Sequence, residues 1–262
     1  MQLPVSFRFA GSGPLGRWIR AAVFRALVVT ACLAGAASLR AQAPAPISLF
    51  SGTDTSQFMA VSGGGPVPWN LVGPDILEVL PGTGNIQSIS NYNDFILHAE
   101  FRIPSPPDSG NGNSGIFLQG RYEVQIFNSF GVAVPTGNDC GAIWNQRAAS
   151  TNACRAPGNW QTYDITFRAA QWNGYSKIAN AKVTVVLNGV TVQNNVDITT
   201  STTGGALESP TPGPIVLQDN NSVVQFRNIT IRPLNTPPPV QTTLFTSFKG
   251  SRVLVKAVKT DA

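Results

Sequence analysis

The sequence predicts an all-β protein built as a two-sheet antiparallel β-sandwich or jelly roll. Short runs of alternating apolar and polar residues recur along the chain, which is the pattern of half-buried strands. No window after residue 43 has the spacing of an amphipathic helix, and no internal repeat is visible. The chain has 25 glycines and 20 prolines among 262 residues, so turns are frequent enough to join many short strands.

Turn residues separate the predicted strands. The clearest signal is the segment 182–192, where two β-branched runs flank Asn188-Gly189, a typical centre of a type I′ hairpin turn. The segment 94–103 alternates between apolar and polar residues, as a strand with one buried face does. The other predicted strands are 75–80, 114–118, 121–127, 160–169, 213–219 and 223–234.

The first 43 residues predict a secretory signal peptide ahead of a single domain at 44–235. They contain five arginines and no acidic residue, followed by an apolar run at 26–39 and then small residues. That run has 14 residues, whereas a transmembrane helix needs about 20, so no transmembrane segment is expected. Cleavage after Ala41 and cleavage after Ala43 both fit the pattern, and a lipoprotein-type signal at Cys32 is a weaker alternative. We expect export to the periplasm or the extracellular space.

Charge beyond the leader is balanced, with 13 basic and 13 acidic side chains. The net charge of +5 therefore belongs to the leader, and binding to nucleic acid is not expected. Residues 236–262 begin with a proline-rich linker and end in a basic segment around Val253-Leu254-Val255. This segment is too short to bury a core of its own, so it is expected to form a frayed tail or a weak appended strand.

Cysteine and histidine usage restricts the chemistry. Removal of the leader leaves Cys140 and Cys154, an even pair in an oxidising compartment, which predicts a disulfide; two free buried thiols are the alternative. His98 is the only histidine, which excludes a metal site with several histidines.

One predicted strand carries a polar row. In RYEVQIF the apolar set Tyr122, Val124 and Ile126 alternates with Arg121, Glu123 and Gln125. Period-two alternation places the two sets on opposite faces of a sheet. The polar row is expected to face an open cleft, and a plain solvated outer face is the alternative.

Six ordered motifs carry a family resemblance. The chain contains, in this order, LFSGTDTSQF, NSGIFLQGRYEVQIFNSFG, NDCGAIW, NACRAPGNWQTYDITFRA, VLNGVTVQNNV and GPIVLQDNNSVVQFRNITIRPL. Over about residues 47 to 234 it resembles the bacterial 3-keto-disaccharide hydrolase domain, formerly a domain of unknown function. The resemblance implies a concanavalin A-like jelly roll that acts on 3-keto-glycosides. The chain departs from the family at Asn220, where relatives often have a histidine.

The polar row suits the chemistry of a 3-keto sugar better than ordinary glycoside hydrolysis. Laminarinase-like jelly rolls carry three carboxylates on one strand, and here Gln125 and Asn128 occupy two of those positions. A C3 carbonyl acidifies the C2 proton, so one base suffices for the first step. Glu123 is the expected base, and Arg121 or a bound divalent cation is the expected stabiliser of the enolate. Gln125 is expected to hold a substrate hydroxyl.

Five other polar residues are weaker candidates for substrate binding: Glu100, Asn113, Gln119, Asp139 and Asp219. Turn formation or capping is the competing role for most of them, and a hard cation is a further alternative for the two aspartates. The expected partner is a 3-keto-glycoside. A non-catalytic carbohydrate-binding or structural sandwich module is the alternative to an enzyme, because the fold supports both.

Overall fold

The computed structural model describes residues 44–234 in full, and the backbone alone of residues 241–248 and 251–258. The predicted signal peptide lies outside the described residues. The described part contains strands and no helix, and the strands are β1 (Ile47–Phe50), β2 (Phe58–Ala60), β3 (Asn70–Val72), β4 (Ile76–Glu78), β5 (Ile86–Ser88), β6 (Phe95–Arg102), β7 (Ser114–Leu118), β8 (Tyr122–Ile126), β9 (Gln161–Arg168), β10 (Gln171–Asn173), β11 (Ser176–Ala179), β12 (Ala181–Leu187), β13 (Val190–Ile198), β14 (Val216–Leu217), β15 (Gln225–Pro233), β16 (Gln241–Phe248) and β17 (Ser251–Val258).

Two antiparallel sheets form the sandwich. The larger has eight strands in the order β13-β12-β9-β6-β15-β4-β3, with β1 also paired to β15. The smaller has five strands in the order β2-β5-β14-β7-β8. The all-β sandwich fold predicted from the sequence is therefore confirmed, and β10 with β11 adds a separate two-stranded ribbon.

The core lies between the inner faces of the two sheets. Along β6 the apolar set is fully buried while the alternate residues are partly exposed. Aromatic rings bridge the layers: Tyr122 of β8 in the smaller sheet lies 5.7 Å from Phe167 of β9 in the larger one, centroid to centroid. Such pairs add to the stabilisation that area burial provides.

Left-handed residues close two of the tight hairpins. Asn188 and Gly189, between β12 and β13, have φ values of 51° and 82°, as the predicted type I′ turn requires. Gln119 and Gly120, between β7 and β8, have φ values of 54° and 64°. The second turn fixes where β8 starts and therefore which of its residues face the core.

The segment expected to be a tail or weak appended strand forms a hairpin of its own. Strands β16 and β17 pair antiparallel over all eight residues of each, from Gln241 with Val258 to Phe248 with Ser251. The β-branched and aromatic residues in both runs favour extended backbone. Within the described residues, we find no helix that is long and apolar enough to cross a membrane.

Candidate active site

The outer face of the five-stranded sheet is the side turned away from the core. Strand register sets two rows of side chains on it. The first row runs across all five strands through Met59, Gln87, Val216, Phe117 and Glu123. The second row runs through Gln218, Gly115 and Gln125. Gly115 pairs with Gln125, and the Gly115 carbonyl accepts a hydrogen bond of 3.0 Å from the backbone amide of Gln218.

The polar row of β8 is enclosed rather than open, which corrects the expectation from sequence. Arg121, Glu123 and Gln125 are only 5%, 4% and 3% exposed. Two loop segments, 138–147 and 202–211, run along the outer edge of β8 and bond to its backbone. Because these segments are distant in sequence, alternation along the strand could not reveal them.

Glu123 has a carboxylate without a hydrogen-bond donor among the described residues. Its backbone is held, since the amide donates to the Thr202 hydroxyl at 3.0 Å and the carbonyl accepts from the Trp144 amide at 3.1 Å. Burial raises the pKa of Glu123 to about 7, and no neighbouring charge or hydrogen bond offsets that effect. A carboxylate with a pKa near neutrality can take up and release protons at physiological pH.

Gly115 provides the space that the Glu123 side chain occupies. A Cβ atom added to this glycine would come within 2.8 Å of Glu123 Cγ and 2.9 Å of its Cδ. Both distances are shorter than real Cβ contacts, so a side chain at position 115 would displace the carboxylate. The glycine therefore fixes where the carboxylate lies on the outer face.

Arg121 is engaged with oxygens of the protein. Its Nε donates to the Leu207 carbonyl at 3.1 Å, and Nη1 donates to Gln119 Oε1 at 2.8 Å. The remaining nitrogen donates to the Ser209 hydroxyl at 2.6 Å and more weakly to the Thr211 hydroxyl at 3.4 Å. The charged neighbour of the guanidinium is Glu208, not Glu123. The structure therefore directs Arg121 towards segment 202–211 and not towards the carboxylate.

Gln125 and Gln218 present acceptors without partners. The Oε1 atoms of both residues are buried and receive no hydrogen bond among the described residues. Gln125 was predicted from the strand pattern, and Gln218 was missed. Val216 and Gln218 in GPIVLQD are two residues apart and so share one face of a strand, but no sequence signal gives the register that brings Gln218 beside Gly115.

Asn113 and Gln119 serve the site indirectly. Asn113 Oδ1 accepts from Gln125 Nε2 at 3.5 Å, so it orients the neighbouring amide. Gln119 bonds through Nε2 to the Tyr92 carbonyl at 3.0 Å and accepts from Arg121. Both amides are therefore used within the protein.

Glu100 lies on the other side of the molecule. It is on the outward-facing set of β6 in the eight-stranded sheet, while Glu123 is on the outward-facing set of β8. Its carboxylate accepts from Arg227 Nε at 2.7 Å and from Asn228 Nδ2 at 3.0 Å. The core separates the two glutamates, so the structure does not bring them together.

Asp139 and Asp219 cap loops. Asp139 accepts from the Ser129 hydroxyl at 2.8 Å and from both the amide and the hydroxyl of Thr136 at 2.7 Å. Although burial opposes ionisation, these hydrogen bonds hold the pKa of Asp139 below its usual value. Asp219 accepts from the amides of Gly84 and Asn221 at 2.8 and 3.0 Å. These contacts are those of the loop-capping role, which was the alternative to substrate binding expected from the sequence for both residues.

The predicted disulfide is absent from the structure, where Cys140 and Cys154 are both free. The Cys140 thiol lies 3.1 Å from the Tyr163 hydroxyl and shares a hydrogen bond with the Cys154 thiol. The thiols are therefore neighbours but unbridged. Among the described residues, no three His, Cys, Asp or Glu side chains cluster closely enough to hold a metal ion.

Two solved structures from Parabacteroides distasonis share this architecture. The chain is 35% identical to a candidate glycosyl hydrolase from Parabacteroides distasonis, with a TM-score of 0.67 over 72% of this chain and 84% of that one. A second candidate glycosyl hydrolase from that organism is 18% identical, with a TM-score of 0.53 over 72% of this chain and 94% of the other. The second likeness supports the fold alone. No curated protein sequence matches the chain.

The family model for the 3-keto-alpha-glucoside-1,2-lyase-like domain matches residues 45–232. That range covers the sandwich from β1 to all but the last residue of β15, and it includes every residue of the two rows described above. The match confirms the resemblance inferred from the six ordered motifs. The chain therefore belongs to the family of 3-keto-alpha-glucoside-1,2-lyase-like domains and is a carbohydrate-active protein like the glycosyl hydrolases.

Proposed function

We propose that the domain cleaves the glycosidic bond of 3-keto-glycosides, with Glu123 as the base that removes the proton from C2. The observation that carries the proposal is the Glu123 carboxylate itself. It is buried, it has no donor among the described residues, and burial raises its pKa to about 7. A general base works best when its pKa lies near the working pH, and the pKa of Glu123 meets that condition.

The reaction requires one base because the substrate carbonyl supplies the acidity. Glu123 takes the C2 proton, and the electron pair of the C–H bond is delocalised onto the C3 carbonyl oxygen as an enolate. The enolate collapses to a C1–C2 double bond while the C1–O bond breaks. The leaving oxygen keeps the electron pair of the broken C1–O bond and takes a proton from solvent. Addition of water to the double bond in a later step gives the net products of hydrolysis.

Ordinary retaining hydrolysis fits the site less well. It needs two carboxyl groups about 5–5.5 Å apart, and such neighbours perturb each other's pKa. Burial is the only cause of the shift at Glu123, so no second described carboxylate interacts with it. Glu100 is held by Arg227 on the opposite sheet. The single isolated carboxylate therefore supports elimination.

We assign Arg121 a positioning role in this mechanism. Its hydrogen bonds to Leu207 and Ser209 hold segment 202–211 beside the strand, and Thr202 of that segment accepts from the Glu123 amide. This assignment replaces the expectation that the guanidinium stabilises the enolate directly. The acidic neighbour of Arg121 is Glu208, a residue of the same segment 202–211, which supports the positioning role.

Export is part of the proposal. It is supported by the basic and then apolar leader at residues 1–43, which is typical of secretory signal peptides. We propose that the mature domain meets its 3-keto-glycoside in the periplasm or outside the cell.

A kinetic isotope effect tests the proton abstraction. With nitrophenyl 3-keto-α-glucoside as substrate, deuterium at C2 should slow kcat/KM several-fold, because the C2–H bond breaks as the base acts. The unmodified nitrophenyl α-glucoside should not react. The expected isotope effect takes the abstraction as rate-limiting, and equal rates for the two isotopic forms would contradict it. Binding of unmodified glycans without turnover of the 3-keto sugar would instead favour a carbohydrate-binding module.

A further inference from the structure

Two buried acceptors without partners flank Gly115 on the outer face of the five-stranded sheet. Gln125 Oε1 lies on the β8 side and Gln218 Oε1 on the β14 side, and neither receives a hydrogen bond among the described residues. Neighbouring strands are about 4.8 Å apart, so the two backbones are separated by about 10 Å across β7. The side chains can therefore approach one small ligand from two sides.

The orientation of the Gln125 amide follows from its other bonds. Nε2 donates to the Asn138 carbonyl at 3.3 Å and to Asn113 Oδ1 at 3.5 Å. Both partners are acceptors, so the nitrogen must face them and the oxygen must face away. The unpartnered atom is therefore an acceptor, and a ligand that satisfies it has to donate.

An unsatisfied buried acceptor is costly, and folded proteins contain few of them. Here two occur in one row of one face, on either side of Gly115, near a carboxylate that also has no donor among the described residues. No described neighbour donates a hydrogen bond to Gln218 Oε1. The arrangement is explained if the missing donors belong to a bound molecule.

We infer that Gln218 and Gln125 bind substrate, each accepting a hydrogen bond from a hydroxyl of one sugar residue that lies against the Glu123 carboxylate. This inference rests on the proposed function and deepens it. The site consists of acceptors, so it selects a neutral sugar rich in hydroxyl donors. A uronic acid is disfavoured, because its carboxylate would meet the Glu123 carboxylate and two amide oxygens, and no cation of the described residues lowers the pKa of Glu123.

A divalent cation is a less suitable occupant of the same atoms. Calcium and magnesium sites use several carboxylates, and their affinity follows the number of charges. This site has one carboxylate and two neutral amide oxygens. That set of groups suits sugar hydroxyls better than a divalent cation.

The test compares Gln218→Leu with Gln171→Leu, a matched change at an exposed position of β10. With nitrophenyl 3-keto-α-glucoside, the Gln218 variant should raise KM by about threefold to tenfold, the value of one lost neutral hydrogen bond, with little change in kcat. Its Tm should not fall, because the change removes an unsatisfied buried oxygen. The Gln171 variant should leave both KM and Tm unchanged.

A binding measurement separates this inference from the proposed function. Calorimetry with nitrophenyl α-glucoside and nitrophenyl α-glucuronide needs no turnover. The wild-type protein should bind the glucoside on the order of tenfold more tightly, and Gln218→Leu should lose much of that affinity. If the wild type binds but turns nothing over, the proposed function fails and the inference stands. If Gln218→Leu binds and reacts as the wild type does, or if a chelator abolishes binding to the wild type, the inference is wrong.

Discussion

The side chain of Glu123 carries an electrostatic cost that its neighbours do not offset. The carboxylate is 4% exposed and receives no hydrogen bond among the described residues. The Asp139 carboxylate, by contrast, accepts three hydrogen bonds. A residue that destabilises the folded state when it ionises is typical of a functional position.

This cost predicts a specific dependence of stability on pH. The pKa of Glu123 is raised from 4.5 to about 7, so between these values the folded protein holds a proton that the unfolded chain has lost. The free energy of unfolding should therefore fall as pH rises from about 4.5 to about 7, by about 3 kcal/mol. Glu123→Gln should remove this contribution, as urea denaturation across that pH range will measure. Parallel pH profiles for the variant and the wild type would refute the assigned pKa.

At the scale of strands, the site depends on the absence of a side chain on β7. Gly115→Ala should push the Glu123 side chain aside and reduce turnover, on the order of 10²-fold for a shift near 1 Å. Stability should change by less than about 1.5 kcal/mol, because a flexible side chain can move and alanine restricts the unfolded chain.

Gly65→Ala is the control for that change. An added Cβ there meets nothing within 4 Å, and Gly65 has no positive φ. Its activity and stability should equal those of the wild type. Full activity of Gly115→Ala would show that the carboxylate position is not set by this glycine.

The loop segment 202–211 is a second element on which the site depends. Arg121→Met should leave the acceptors of Gln119 and Leu207 without their donor and should cost about 3 kcal/mol of stability. Lys182→Met, which removes a cation from the exposed Lys182–Asp197 pair, should cost less than about 1 kcal/mol. Urea denaturation measures both. A large loss of turnover by Arg121→Met with no loss of stability would support a direct catalytic role instead.

Sequence patterns predicted strands more completely than they predicted the site. Period-two alternation predicted the core face of β8, because burial of one face needs only local order. The enclosure of the other face by segments 138–147 and 202–211 depends on contacts between residues far apart in sequence. The role of Gln218 likewise depends on register between β14 and β7. Chemical type also made Glu100 a weaker candidate for the site of Glu123, whereas topology separates the two residues.

At the scale of the whole molecule, the two sheets have outer faces of different character. The outer face of the larger sheet pairs its charges, as Glu100 with Arg227 and Lys182 with Asp197 illustrate. The outer face of the smaller sheet instead holds the carboxylate and two amide oxygens that have no partner among the described residues. This contrast indicates that the smaller sheet is the one that binds a ligand.

The two free thiols allow a test of the packing between distant loops. Because Cys140 and Cys154 share a hydrogen bond, oxidised glutathione should close a bridge between them. Closing a loop of about 15 residues should raise stability by about 3 kcal/mol in the chain-entropy model. Intact mass should show loss of two hydrogen atoms, and alkylation should then fail. Glutathione adducts on both cysteines would show that the thiols do not meet.

Turnover of nitrophenyl 3-keto-α-glucoside by Glu123→Gln tests the central claim most directly. The change keeps shape and removes basicity, so turnover should fall by roughly 10²–10⁴-fold while the protein remains folded. Glu100→Gln, on the opposite sheet, provides the comparison. Near-normal turnover by Glu123→Gln, with loss of turnover in Glu100→Gln or Asp219→Asn, would contradict the account and locate the active site elsewhere.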